Sequence, residues 1–232
     1  MKASEFQEGK TIVVDKPLNW TSFDVVNKLR WTIKNHLGVK KIKVGHAGTL
    51  DPLATGVLVL CSGKHTKRIV ELMAGDKTYT GKILLGKTTP SYDLESEFNE
   101  NFPTEHITEA LFEEVRLSFI GDQDQVPPIF SAKQVDGRRA YDLARAGKEV
   151  VLQPNRINVT SFSIDTSKMP KISFEITCSK GTYIRSIAHD FGMKLNSGGT
   201  LIELRRMRSG EQSIDESNTV DEWIEIIRAT EL

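Results

Sequence analysis

Val57-Leu58-Val59-Leu60-Cys61 is an unbroken apolar run of strand length. It follows directly on twelve residues, Gly45-His46-Ala47-Gly48-Thr49-Leu50-Asp51-Pro52-Leu53-Ala54-Thr55-Gly56, that hold three glycines, one imidazole, one carboxylate and one proline. An apolar run without alternation offers no face to water, so it predicts a strand covered on both sides. The glycine-rich stretch is thereby tethered to a rigid element. Glycines surrender backbone entropy on folding and stabilise a fold only where the geometry demands them, so something must approach this backbone closely. Chemistry that depends on position is usually mounted on a loop held by such a scaffold.

With 232 residues, 38% of them hydrophobic, the chain can bury a real core. No apolar run reaches the roughly 18 residues of a membrane span. The N-terminus, Met1-Lys2-Ala3-Ser4-Glu5-Phe6-Gln7, has no apolar core of the signal-peptide kind. Cys61 and Cys178 both lie in apolar strand-like runs, which argues against a disulfide framework and for a reduced, cytoplasmic setting.

A formal charge of zero argues by itself against a nucleic-acid partner, yet the total conceals blocks. Residues 1–90 carry fifteen Lys/Arg against seven Asp/Glu, residues 91–124 one against ten, residues 125–210 fourteen against seven, and residues 211–232 one against seven. If the two basic blocks share a face they form a phosphate-binding surface. The bland alternative is a set of charge-balanced solvated faces.

In chain order, Thr11-Ile12-Val13-Val14 predicts a strand that ends in the turn Asp15-Lys16-Pro17. Thr21 or Ser22 caps a helix with apolar positions Val25, Val26, Leu29, Ile33 and Leu37, stopped by Gly38. A second helix is expected from about residue 66 to 74, a strand at 77–85 carrying Tyr79, an acidic loop through Asp93, and a helix through Leu111, Val115 and Phe119. Residues 122–152, with Pro127-Pro128 and a cationic helix fragment from Arg138 to Gly147, read as an insertion able to close over a ligand. Strands at 156–164 and 172–178, a stretch through Arg185 resembling a strand edge, a short helix at 186–195, a strand at 200–206 and a final acidic helix capped by Thr219 complete the chain. Strands and helices mix without regular βαβ alternation. The expectation is an α+β domain around a mixed, largely antiparallel sheet flanked by helices, with no linker dividing residues 1–232.

Several chemistries fail on spacing. Gly56 to Lys64 imitates a phosphate loop, but six residues separate its glycines and His65 stands where Ser or Thr would hold magnesium. No close Cys/His ligand spacing suggests a metal, and no G-x-S-x-G turn exposes a serine. Each remaining candidate has an ordinary reading: Asp51 as a turn former before Pro52, His46 as a hydrogen-bonded structural histidine, Lys16 as a solvated turn charge, Tyr79 as a half-buried strand aromatic, Arg185 as a rim ion pair.

The order of motifs resembles the TruB-type tRNA pseudouridine synthases, which act on the uridine at position 55 of tRNA. The matching pieces are Asp15-Lys16-Pro17, residues 45–56, Asp76-Lys77-Thr78-Tyr79, residues 88–93, Ser131-Ala132-Lys133 with residues 137–147, Ser179-Lys180-Gly181-Thr182-Tyr183-Ile184-Arg185, and Leu204-Arg205-Arg206. They span residues 11 to about 208. The resemblance implies the pseudouridine synthase catalytic fold with residues 122–152 as its thumb-like insertion, and a cofactor-free, metal-free isomerase that acts as a monomer away from membranes. By the same resemblance Asp51 is the catalytic aspartate, acting as nucleophile or by removing a ribose proton. Arg185 is the cation paired with it, Tyr79 stacks on the target base and serves proton transfer near carbon 5, and His46 helps hold the flipped-out T loop.

Pro17, Tyr183 and Leu204 are then expected to wall the pocket. Lys16, Lys64, Arg138, Arg139, Arg145, Arg205 and Arg206 are expected at backbone phosphates, and Asp93 among the substrate-binding residues, although Pro90-Ser91 departs from the family pattern beside it. Only about twenty residues follow Arg208, an acidic stretch with seven Asp/Glu, so a short form without the C-terminal PUA-type domain is expected. The alternative left open is a tRNA-folding chaperone of the T loop with modification secondary.

Overall fold

The structure, a computed structural model, describes residues 2–131, 133–135, 138–139 and 152–231. The chain forms two compact units, one of Met1–Tyr79 with Leu204–Leu232 and one of Thr80–Glu203.

In the first unit the apolar run is the body of the Ala54–Ser62 strand, which is buried at eight of nine positions. Both of its edges are occupied. Lys10–Lys16 pairs with it antiparallel along its length, from Lys10 opposite Ser62 to Lys16 opposite Gly56. The other edge is shared: Gly199–Ser209 runs parallel to its first residues, through Leu204 opposite Ala54 and Arg206 opposite Gly56, and Val44–His46 pairs antiparallel with its last. Alternation sends Val57 and Val59 to one face, where they meet Val13, Ala47, Ile69, Leu72 and Ile214. Leu58 and Leu60 are left for the opposite face.

Two amphipathic helices also belong to this unit. Ser22–His36 begins with a capping box, Thr21 Oγ1 accepting from Asp24 N while the Asp24 carboxylate accepts from Thr21 N, and it buries Val25, Val26, Leu29 and Ile33. Val220–Arg228 has the same box between Thr219 and Glu222, and Trp223 Nε1 donates to Val13 O at 2.7 Å, tying the helix to the Lys10–Lys16 strand. The second helix expected from sequence resolves into a 3₁₀ segment, Gly63–Arg68, and one α-turn, Ile69–Leu72.

In the second unit the part of Lys77–Leu85 from Thr80 onward, Lys171–Cys178, Asn155–Asp165 and Gly121–Gln125 lie side by side in that order. Asn155–Asp165 is antiparallel to both its neighbours, with a register shift between Val159 and Ser161. Phe112 and Phe119, Phe162 and Phe174, and Phe191 form a ring cluster at centroid separations of 5.6–6.2 Å.

Two expectations are corrected here. Residues 122–125, assigned to the insertion, belong to the sheet as part of Gly121–Gln125. Arg138–Arg139 form not a helix start but a short strand paired with Gln134–Val135; the rest of the expected helix fragment, including Arg145, lies outside the described residues.

Gly56 ends the glycine-rich stretch inside a strand. Its φ is +100°, and a Cβ there would lie 2.2 Å from the carbonyl oxygen of Arg206, so both the backbone region and the space exclude a side chain. Gly38, past the end of the Ser22–His36 helix, has φ +63° with nothing within 4 Å. Gly38→Ala is therefore expected to cost about 1 kcal/mol, the left-handed penalty alone. Gly56→Ala is expected to cost at least about 3 kcal/mol, since backbone must move. Urea unfolding of both variants measures the difference.

Candidate functional site

Asp51 lies in a turn whose backbone is anchored on either side of it. Ser22, buried at the start of its helix, accepts from Leu50 N through Oγ at 2.8 Å and donates to Leu50 O at 3.0 Å. After the carboxylate, Pro52 O accepts from Asn19 N at 2.9 Å, and Asp51 O accepts from Ala54 N at 3.0 Å. Asp51 is half-buried, and its backbone is held on both sides.

Two cations hold this turn from inside. Arg206, 1% exposed, donates from Nε to Val57 O at 2.7 Å, from Nη1 to Thr49 O at 3.4 Å and from Nη2 to Gly48 O at 3.1 Å. Lys16, 0% exposed, donates from Nζ to Trp20 O at 2.6 Å, Pro17 O at 2.8 Å and Pro52 O at 3.5 Å. Both were expected at RNA phosphates, and that expectation is corrected: their donors are spent on carbonyls of the turn and its approach. Arg205, on the opposite face of its strand, makes a two-point ion pair with Asp15, Nη2 to Oδ2 at 2.7 Å and Nη1 to Oδ1 at 3.0 Å, with 38% of its side chain still exposed. Lys64 is exposed. The backbone places Arg138 and Arg139 on their short strand.

His46 ends the Val44–His46 strand, half-buried; burial first and the Arg206 charge second push its pKa below the ordinary value, which favours the neutral imidazole. Tyr79 is buried on the Lys77–Leu85 strand. Pro17 and Leu204 are half-buried at the two strands flanking Ala54–Ser62.

In the second unit Arg185 is not on a strand edge. It occupies the first turn of the Ile184–Lys194 helix and is 5% exposed. That helix has no side-chain cap of its own. Instead the amide of Gln125 accepts from Tyr183 N at 2.8 Å and donates to Tyr183 O at 3.1 Å, fixing the residue that precedes the helix. The Arg185 guanidinium donates from Nη1 to Phe130 O at 3.0 Å and Ser91 O at 3.3 Å, and its Nε lies 3.6 Å from Asp93 Oδ2. Asp93, expected among the substrate-binding groups, is 5% exposed and lies beside the Arg185 guanidinium. Sequence reasoning also missed Ser22 as the clamp on Leu50 and Gln125 as the clamp on Tyr183. Neither type carries a signal beyond ordinary polarity.

Lys16 gives this geometry a pH signature. Burial lowers its pKa from 10.5 to about 8, Asp51 opposing the shift and Arg206 adding to it. The unfolded chain then holds the proton more tightly, so between about pH 8 and 10.5 it binds more protons than the native state and the Lys16 contribution to stability grows with pH. The full change is of order 3 kcal/mol. Urea unfolding of the wild type and of Lys16→Met across pH 7 to 10.5 is expected to show the wild-type stability rising relative to the variant through that window.

Comparison with known proteins places the chain in a family. Residues 34–184 match the TruB family pseudouridylate synthase (N terminal domain). A protein of Flavobacterium johnsoniae called tRNA pseudouridine synthase B is 50% identical over 95% of this chain and 96% of its own. One of the same name from Phocaeicola vulgatus is 51% identical over 95% of each, and one from Chlorobaculum tepidum 44% over 96% and 93%. Among solved structures, a chain of a Cbf5-Nop10-Gar1 complex superposes with TM-score 0.69 at 26% identity, over 95% of this chain and 55% of that one. By half-identity to its relatives and a family match across most of its length, the chain belongs to the TruB family of pseudouridylate synthases and is an isomerase.

Proposed function

We propose that the protein converts the uridine at position 55 in the T loop of tRNA to pseudouridine. The observation that carries this reading is the 50% identity, over nearly the full length of both chains, to relatives called tRNA pseudouridine synthase B. The anchored Asp51 turn supports it, because a carboxylate that must meet one ribose gains from a backbone that does not move.

In this reading the target base is extruded from the folded loop, at an unstacking cost of a few kcal/mol that the pocket offsets. Asp51 acts on the ribose or the base while the bond from N1 to the sugar breaks. The uracil turns, its carbon 5 joins the sugar, the proton that carbon 5 carried is removed, and N1, freed of the sugar, takes one up, so the product is an isomer of the substrate. Tyr79 is the base-stacking and proton-transfer residue, and Arg185 the cation that aims the Asp51 carboxylate. His46 supports the extruded loop conformation, and Pro17, Tyr183 and Leu204 are pocket walls. No cofactor or metal enters any step. Lys64, Arg138, Arg139, Arg145 and Arg205 remain the candidates for backbone phosphates.

Incubation with unmodified tRNA, followed by carbodiimide treatment and primer extension, is expected to give one new stop, at the T-loop uridine; no stop at enzyme excess overturns the proposal. Asp51→Asn keeps the volume and loses the carboxylate. It is expected to abolish product, a fall of more than about a thousandfold in kcat, while tRNA affinity by filter binding stays within about threefold.

A further inference from the structure

We propose that Tyr92 and His189 are positioning residues for the reaction, stacked on one another so that the segment carrying Ser91 and Asp93 is held against the Arg185 guanidinium. The inference rests on the role given to Arg185 above and adds two residues to which that role assigns nothing.

Tyr92 stands between the two residues that contact Arg185 through this segment, Ser91 by its carbonyl and Asp93 by its carboxylate. Its φ is +66°, in the left-handed region that costs a residue with a side chain roughly 1 kcal/mol. That turn lets two consecutive stretches of chain address one guanidinium. Backbone bonds hold it on both sides, Tyr92 N donating to Thr89 O at 3.1 Å and Tyr92 O accepting from Leu201 N at 2.9 Å. The side chain supplies the third hold. The Tyr92 ring lies on the His189 imidazole with centroids 3.9 Å apart and planes 13° from parallel. His189 follows Arg185 by four residues on the Ile184–Lys194 helix, so the two project from the same helical face. Stack and guanidinium are thus two consecutive rungs on one helix, and the left-handed turn spans them.

The chemistry of the imidazole fits a stacking part. His189 Nδ1 is buried with no hydrogen-bond partner among the described residues. A proton there would be an orphaned buried donor, which assigns the proton to Nε2 and leaves the ring neutral. Burial lowers its pKa, with Glu100 opposing. A neutral ring adds no like charge beside Arg185, and its place is set by the tyrosine face rather than by a hydrogen bond at Nδ1.

Steady-state kinetics on unmodified tRNA tests the idea with three variants. Tyr92→Gly removes the ring while suiting the backbone region, His189→Ala removes the other half of the stack, and His189→Phe keeps a stacking ring without nitrogen. Tyr92→Gly and His189→Ala are expected to lower kcat at least about tenfold with KM within about twofold, and His189→Phe to recover kcat to within about threefold of wild type. In an Asp93→Ala background, His189→Ala is expected to cost less than about threefold more, because both act through Arg185. An unchanged kcat in Tyr92→Gly and His189→Ala overturns the proposal, as does a loss confined to KM or a failure of His189→Phe to recover. Should His189→Ala not unfold cooperatively, Tyr92→Gly carries the same comparison from the loop side. A wild-type protein inactive on tRNA overturns the proposed function instead.

Discussion

Three backbone carbonyls, those of Gly48, Thr49 and Val57, converge on the guanidinium of Arg206. A buried guanidinium is tolerated only where its donors are met, and carbonyls left without donors are costly in their turn. The arrangement therefore locks in both directions. The Gly199–Ser209 strand can deliver Arg206 only if it runs parallel to Ala54–Ser62 in the observed register, and the glycine-rich stretch can keep its shape only if that strand is in place. Gly56 completes the lock, since no residue with a Cβ lets the Arg206 backbone come so close.

Lys16 repeats the device from the other side of the turn, with its ammonium on Pro17, Trp20 and Pro52. Two buried cations thus serve one carboxylate-bearing turn, and Arg206 lowers the pKa of Lys16 while Asp51 raises it. What looked like a cationic surface for RNA is, at these positions, internal wiring. The external positive face of a nearly neutral chain is correspondingly smaller than the charge blocks suggest, and rests on exposed groups such as Lys64.

The sheet and its packing helices were legible because local and global signals agree: β-branched runs for the strands, capping boxes at Thr21 and Thr219, apolar periodicity in between. Arg185 was misread because Thr182-Tyr183-Ile184 favour a strand by propensity and Tyr183 offers no capping oxygen; the helix starts there because Gln125, 58 residues earlier, satisfies the Tyr183 peptide. Arg205 and Arg206 were read as a pair of equivalent phosphate ligands. Alternation along a strand puts neighbours on opposite faces, so one of two adjacent arginines was bound to turn inward, but which one depends on pairing that no local pattern encodes. The burial of Lys16 was invisible for the same reason, since one of its carbonyl partners, Pro52, is 36 residues away.

The Gln125 amide is a side chain doing the work of a peptide group. It offers Tyr183 one acceptor and one donor, at the end of a strand whose own ladder stops at that residue. Geometrically this extends the sheet by one rung that is not backbone. The rung is stiffer than a loop and shorter than a strand, and it sets where along its axis the arginine-bearing helix begins. A one-methylene change at residue 125 would therefore act as a displacement of Arg185, transmitted through the chain without altering any group that faces a substrate.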